Sequence, residues 1–424
     1  MIDRDPLDDW IFATQSEPLS NRQSEQSLQQ DLQKLEQWIA APPAGKRREV
    51  PRVRGGRWEF GLRLAPGDIA RAQDLYRRLV LESGNGKSYT EEALLSLLAL
   101  ALDPANIAFF VAMLDYAPPR DKQAARRREL ALAALALLVY RRDDPAALAA
   151  LVDATGHKHP AVRALAVHYV RCVFVGVDEI IFDLQGLLES PDLQLLPELV
   201  PDDLAADSDD QQPGPAADAE GLPELRRPIP PELLARLATI ATGDPAFEPR
   251  FIARQLREAA GQPAPLDYPD GAYAFKVKLR GLAGMHRTIA ARSTDTLHDL
   301  HLAIQHAIAW DDDHLYSFFL NNKRYDQRFS FASPWDNDSP PWADQVLIGQ
   351  LGLPLKHTFM YYFDYGDSHQ FDVEVVGIEP HAAPGNYPRV VERKGASPKQ
   401  YWYGEDEDDE DGEDTEELDD QEAL

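Results

Sequence analysis

Two short stretches hold most of the side chains able to do chemistry: Trp310-Asp-Asp-Asp-His-Leu-Tyr-Ser-Phe318 and Tyr361-Tyr-Phe-Asp-Tyr-Gly-Asp-Ser-His-Gln-Phe371. The candidate patch takes Trp310, Asp311, Asp313, His314 and Tyr316 from the first stretch. From the second it takes Tyr362, Asp364, Tyr365, Asp367 and His369. Carboxylates beside imidazoles can hold Mg²⁺ or Mn²⁺ for phosphodiester cleavage, or poise a general base. Neither stretch has the spacing of a known ligand set, so no metal is assigned and the cofactor stays unknown. Two histidines one helical turn apart would be such a set, but the nearest match pairs His301 with Gln305. A structural account also exists. Asp311 to Asp313 fit a turn between helix and strand, Tyr362 to Asp367 fit a strand entering a Gly-Asp turn, and Trp310 fits a core. A turn alone needs neither a histidine nor so many aromatic neighbours. A recognition surface for a peptide or small ligand is therefore the other reading.

Regular elements must position these residues. Tyr273-Ala-Phe-Lys-Val-Lys-Leu-Arg280 alternates apolar and polar residues, as a strand with one wet face does, and His286 to Arg292 repeats the pattern after a glycine turn. Thr296 to Ile308 switches to helical period, with Thr294 or Thr296 as cap and Leu297, Leu300, Ile304 and Ile308 as the buried stripe. Further strands are expected over 314–320, 358–364 and 370–376. This order predicts an α+β domain with one helix packed on a mixed or antiparallel sheet.

Taken together, Met285-His-Arg-Thr-Ile, Thr296 to His301, Trp310 to Phe318 and Tyr362-Phe-Asp-Tyr-Gly-Asp367 resemble the plasmid pRiA4b ORF-3-like family over roughly 270–400. The resemblance implies a small α+β domain, mostly bacterial, with no settled activity. The chain departs from the family pattern in two places. Where a Trp and then a His usually follow Gly366-Asp367, it has His369 and Phe371. After Tyr387 to Pro398, Lys399-Gln-Tyr-Trp-Tyr403 replaces the usual Pro-Glu-Asp and glycine ending. Any site those missing groups shape in relatives would be altered here.

Before this domain the pattern is helical. Residues 1–57 read as a disordered and basic N-terminal segment, with a helix over 26–40 and six Lys/Arg between Pro42 and Arg57. Asp103-Pro104 and Asp144-Pro145, 41 residues apart, start similar helices, and Lys158-His-Pro-Ala-Val resembles the second helix of a HEAT repeat. A HEAT-like domain is expected over 58–200. Ser83-Gly-Asn-Gly-Lys-Ser88 lacks the first glycine of a phosphate loop, since Leu81 stands there, and it follows a helix. It reads as a helix end. Residues 201–230 are an acidic, Pro-rich linker, 231–262 a short helical pair, and 404–424 an acidic disordered tail.

Composition narrows the class. The chain has 424 residues, of which 44% are hydrophobic and 27% charged, as in ordinary globular proteins. No apolar run reaches membrane-spanning length, the N-terminus lacks signal-peptide character, and one cysteine, Cys172, allows no internal disulfide. Cys172 is expected in a core. We expect a cytoplasmic protein without membrane contact. The net charge of −28 is uneven: Glu405 to Glu422 holds fourteen acidic residues, while 42–175 has 21 Lys/Arg against 14 Asp/Glu. A non-catalytic interaction or adaptor module with a protein partner is the expected role. The alternatives are a nucleic-acid-associated protein gated by its tail, contacting through Arg and Lys of 42–175, and a metal-dependent hydrolase.

Overall fold

The computed structural model describes residues 18–41, 50–51, 53, 66–82, 88–116, 121–175, 225–336 and 341–400. Most of the basic connector, the Ser83 turn, the linker up to residue 224 and the acidic tail lie outside these residues. The chain divides into two compact units, Met1–Pro265 and Leu266–Leu424. Among the described residues, no helix is long and apolar enough to cross a membrane.

The first unit is helical. Helix α1, Pro18–Ala40, begins eight residues before its expected start. The expectation followed the apolar stripe, which begins only at Leu28 and continues through Leu32, Leu35 and Trp38, all buried. A helix extends N-terminally without apolar residues when Gln, Arg and Glu carry it and a proline occupies its first turn. Helices α2 (Pro66–Tyr76), α3 (Ser88–Leu100), α4 (Ile107–Asp115), α5 (Ala124–Arg142), α6 (Pro145–Ala154) and α7 (Pro160–Phe174) follow. Asp103 and Asp144 cap their helical turns as the Asp-Pro spacing predicts, each carboxylate accepting from backbone N–H groups just ahead. In α5 every residue from Leu130 to Val139 is buried. A helix apolar on all sides must be covered on all sides, and α3, α4, α6 and α7 all pack on it. The pair α8 (Pro231–Gly243) and α9 (Phe247–Ala259) belongs to this same unit, with α9 against α7. Arg163 on α7 donates two hydrogen bonds, 2.7 and 2.8 Å, to the Asp244 carboxylate between α8 and α9. Cys172 is buried.

A buried charge cluster ties four segments of this unit together. Arg127 on α5 donates to Glu91 of α3 and to Asp121, both at 2.6 Å. Tyr76 of α2 donates to Glu91 at 2.8 Å and accepts from Arg127 at 2.9 Å. Burial, followed by the Glu91 charge, holds the Tyr76 hydroxyl far above its usual pKa.

Among its described residues, the second unit is one seven-stranded antiparallel sheet crossed by a single α-helix. Its strands are β1 (Ala272–Leu279), β2 (His286–Arg292), β3 (Tyr316–Phe319), β4 (Ser330–Ala332), β5 (Thr358–Phe363), β6 (His369–Glu379) and β7 (Arg389–Lys394), in the order β4-β3-β5-β6-β1-β2-β7. Helix α10, Leu297–Ile308, packs on β2 with Leu297, Leu300, Ile304 and Ile308 buried as expected. Thr296 is the cap. Its hydroxyl accepts from Asp299 N and its own N–H donates to the Asp299 carboxylate, a reciprocal arrangement that satisfies two otherwise orphaned donors. The α+β expectation holds, and β4 and β7 are additions to it.

Breaking the Arg127 cluster strands a buried carboxylate. Arg127→Ala should therefore destabilise the helical unit by about 3–5 kcal/mol, seen as a lower denaturation midpoint in the full chain.

Candidate functional site

Strand alternation decides where each candidate residue goes. Along β5, Phe359, Tyr361 and Phe363 face α10, while Met360 and Tyr362 face away. The two sequence patches do meet at one end of the sheet, since Asp364 N donates to Leu315 O at 3.0 Å. Their side chains nevertheless separate into three groups.

The first group lies in the interior between α10 and the sheet. Tyr316 is fully buried and stacks on His301, with ring centroids 3.7 Å apart and 11° between planes. His301 is also fully buried, with Nε2 at 2.7 Å from Asp312 and Nδ1 at 2.7 Å from the Tyr361 hydroxyl. A carboxylate only accepts, so Nε2 carries the ring proton and Nδ1 accepts from Tyr361. The Tyr361 oxygen accepts in turn from Gln305 Nε2 at 2.7 Å. His298 Nδ1 lies 2.7 Å from the Tyr316 hydroxyl. Burial lowers the His301 pKa to about 4 against the opposing pull of Asp312. Burial likewise raises Tyr316 and Tyr361, so both phenols stay protonated. His301, Tyr316 and Tyr361 form an uncharged hydrogen-bonded relay in the interior, with half-buried His298 and exposed Asp312 at its edge.

The second group surrounds the β5–β6 hairpin. Trp310 is buried and packs on His369 (4.6 Å between centroids), Phe371 and Phe363. Its indole N–H donates to Pro398 O at 2.8 Å, so this ring is held as structure. Gln400 brackets Asp311, accepting from its N–H at 2.7 Å and donating to its carbonyl at 3.0 Å, and also reaches Asp313 at 3.1 Å. His314 Nε2 stands 3.5 Å from Asp364 Oδ2. The other Asp364 oxygen accepts from Gly366 N and Asp367 N, closing the hairpin. Asp364, Asp367 and His369 bring one donor atom each within 4.8 Å of one another, so these are the residues that could hold a metal ion.

The third group is on the opposite face. Tyr362 donates to or accepts from Ser368 at 2.8 Å and packs with Phe319 and Met360. Tyr365 reaches Ser317 at 2.6 Å, its hydroxyl pKa raised mainly by burial. Beside them Arg324 lies over the rings of Tyr325 (4.5 Å) and Tyr362 (5.4 Å). Tyr325 is 59% exposed and Trp335 70%.

What holds the second group in place is Arg287. This buried side chain donates from Nε to Ala307 O at the end of α10, and from Nη1 to Lys394 O and Gly395 O. Its Nη2 reaches Ser397 Oγ, and Arg393 adds a second bond to Ala307 O. The turn after α10 and the segment after β7 are thereby tied to one point.

Residues 271–409 match the model of a family described as plasmid pRiA4b ORF-3-like protein. The C-terminal domain belongs to that family. A crystal structure of a protein of unknown function from Methanosarcina mazei Go1 is similar to this chain, at 24% identity over 30% of this chain and 71% of that one, with a TM-score of 0.26. No curated protein matches the chain. In the pRiA4b ORF-3-like domain, sequence reasoning missed His298, His301, Gln305, Asp312 and Tyr361. His301 and Gln305 show in the sequence only as polar residues among the apolar ones of a helix, while Asp312 and Tyr361 lie inside the two stretches without being distinguished from their neighbours. Arg324, Tyr325 and Trp335 were missed because each sits in a loop whose sequence has no period.

The His301 pKa gives a pH prediction with a definite sign. The unfolded imidazole takes a proton near 6.5 and the folded one near 4, so stability is complete above the first value and falls as pH drops towards the second. The loss is on the order of 3 kcal/mol. Melting temperature measured from pH 7 to 4 should show this slope, and His301→Gln should flatten it.

Proposed function

We propose that the chain is a non-catalytic interaction module whose pRiA4b ORF-3-like domain takes an extended acidic peptide on the face of the sheet opposite α10. The observation that carries this reading is Arg324. Its guanidinium is exposed, stacked over two tyrosine rings, and has no carboxylate partner among the described residues. A cation held rigidly by aromatic faces keeps its charge available for a ligand while losing little side-chain freedom on binding. Exposed Tyr325 and Trp335 supply the apolar anchors that peptide sites use.

Two observations weigh against the alternatives. The histidine that has a carboxylate to orient it, His301, is fully buried, and its other nitrogen is occupied by Tyr361. A substrate in solution does not reach it, so the relay is poorly suited to general-base hydrolysis. Nucleic-acid contact through 42–175 would need free cations there. Several of the described ones are engaged: Arg71 with Glu36, Arg126 with Glu129, Arg127 with Glu91 and Asp121, and Arg163 with Asp244.

Selection of displayed peptides on the full chain tests the reading. Acidic sequences with an aromatic residue should be enriched, and Arg324→Glu and Trp335→Ala should each weaken them roughly 30-fold. Both side chains are exposed, so the fold should survive. Equal binding of the enriched peptides to both variants would overturn the proposal.

A further inference from the structure

We infer that the β5–β6 hairpin holds a divalent transition-metal ion through Asp364, Asp367 and His369, with His314 standing by as a fourth donor. The three principal donor atoms lie within 4.8 Å of one another, yet no hydrogen bond joins them. Donors sharing one ion at about 2.1 Å sit up to about 4.2 Å apart, so small side-chain rotations bring this set onto a common centre. A direct Asp–His hydrogen bond would have drawn the groups much closer.

The imidazole of His369 supplies the independent observation. Neither of its ring nitrogens is hydrogen-bonded to a described residue, and Nε2 is sealed from solvent without a partner. Buried imidazole nitrogens ordinarily find a partner. Here the ring packs between Trp310 and Phe363, at 4.6 and 6.5 Å, so its position is set while its bonding capacity is unused. The Asp367 carboxylate is similarly without a hydrogen-bond or ion-pair partner among the described residues. Asp364 is half committed: one oxygen accepts from Gly366 and Asp367 N–H, leaving Oδ2 facing His314 at 3.5 Å. A carboxylate braced by backbone N–H groups is the kind of oriented ligand that metal sites use.

The donor set also selects the ion. Magnesium and calcium prefer all-oxygen surroundings, whereas imidazole with carboxylates suits zinc, manganese and similar ions. A solvated Asp367 keeps the position open to exchange with the medium.

The test must separate this site from the acidic run Glu405 to Glu422, which attracts any cation. The full chain is titrated calorimetrically with zinc chloride in a large excess of magnesium chloride, which occupies exposed carboxylates. One zinc per chain is expected, with affinity at least tenfold weaker for Asp367→Asn and for His369→Gln. Cobalt(II) added in place of zinc should give a visible absorption band that both variants lose. Asp367 is exposed, so its variant tests the site even if His369→Gln fails to fold. Zinc affinity and the cobalt band left unchanged by Asp367→Asn would overturn the inference, as would the absence of zinc binding under magnesium excess.

Discussion

The C-terminal domain depends on how one buried guanidinium satisfies its donors. Arg287 points into the layer between β2 and α10, where no carboxylate of the described residues meets it, and spends its N–H groups on carbonyls and a hydroxyl instead. The carbonyls at the C-terminal end of a helix have no partners within the helix and carry its negative pole, so a cation there is favoured twice. Because the same side chain also binds the segment after β7, the end of α10 and residues 394–397 cannot move independently. That segment in turn carries Pro398 and Gln400 to Trp310 and Asp311. The geometry of the hairpin end is thus inherited from a residue on a different strand. Burial and the nearby Arg393 lower the Arg287 pKa, yet a guanidinium starts so high that it stays charged.

The fold of this domain was largely legible in its residues. Period-two alternation in β1, and the Thr296 cap ahead of Leu297 and Leu300, each express a local rule that the tertiary structure leaves undisturbed. β2 forms its strand, with α10 packed on it, but is buried on both faces from His286 to Ala291. β4 was not legible because three residues are too few to show a period. β7 was not legible because Arg-Val-Val-Glu-Arg-Lys has the charge of an exposed edge strand, which reads as a loop. In the helical unit the Asp-Pro starts were clear. The central place of α5 was not, since a run of Ala and Leu looks alike on one buried face or on all of them.

The candidate site was legible as a place and illegible as an arrangement. Both patches were visible from composition, and they do lie together. Separating Tyr316 from His314, or Tyr361 from Tyr362, requires knowing which side of the sheet each side chain takes, and that depends on register. Tyr361 and Tyr362 look equivalent in sequence. Both are fully buried, but one is bonded to His301 while the other packs with Phe319 and Met360 on the far side. The interior His301 gave little warning because a histidine in an apolar helix is a common structural residue.

Because β5 serves both faces, the two surfaces differ in how they can change over time. Substitution can alter one tyrosine without touching the other, so the relay and the far face can drift separately. Gain or loss of a single residue within the strand would instead exchange the faces, carrying Tyr361 away from His301 and driving Tyr362 into the relay. Length in this strand should therefore be held far more tightly than residue identity, with tolerated insertions confined to the loops outside it.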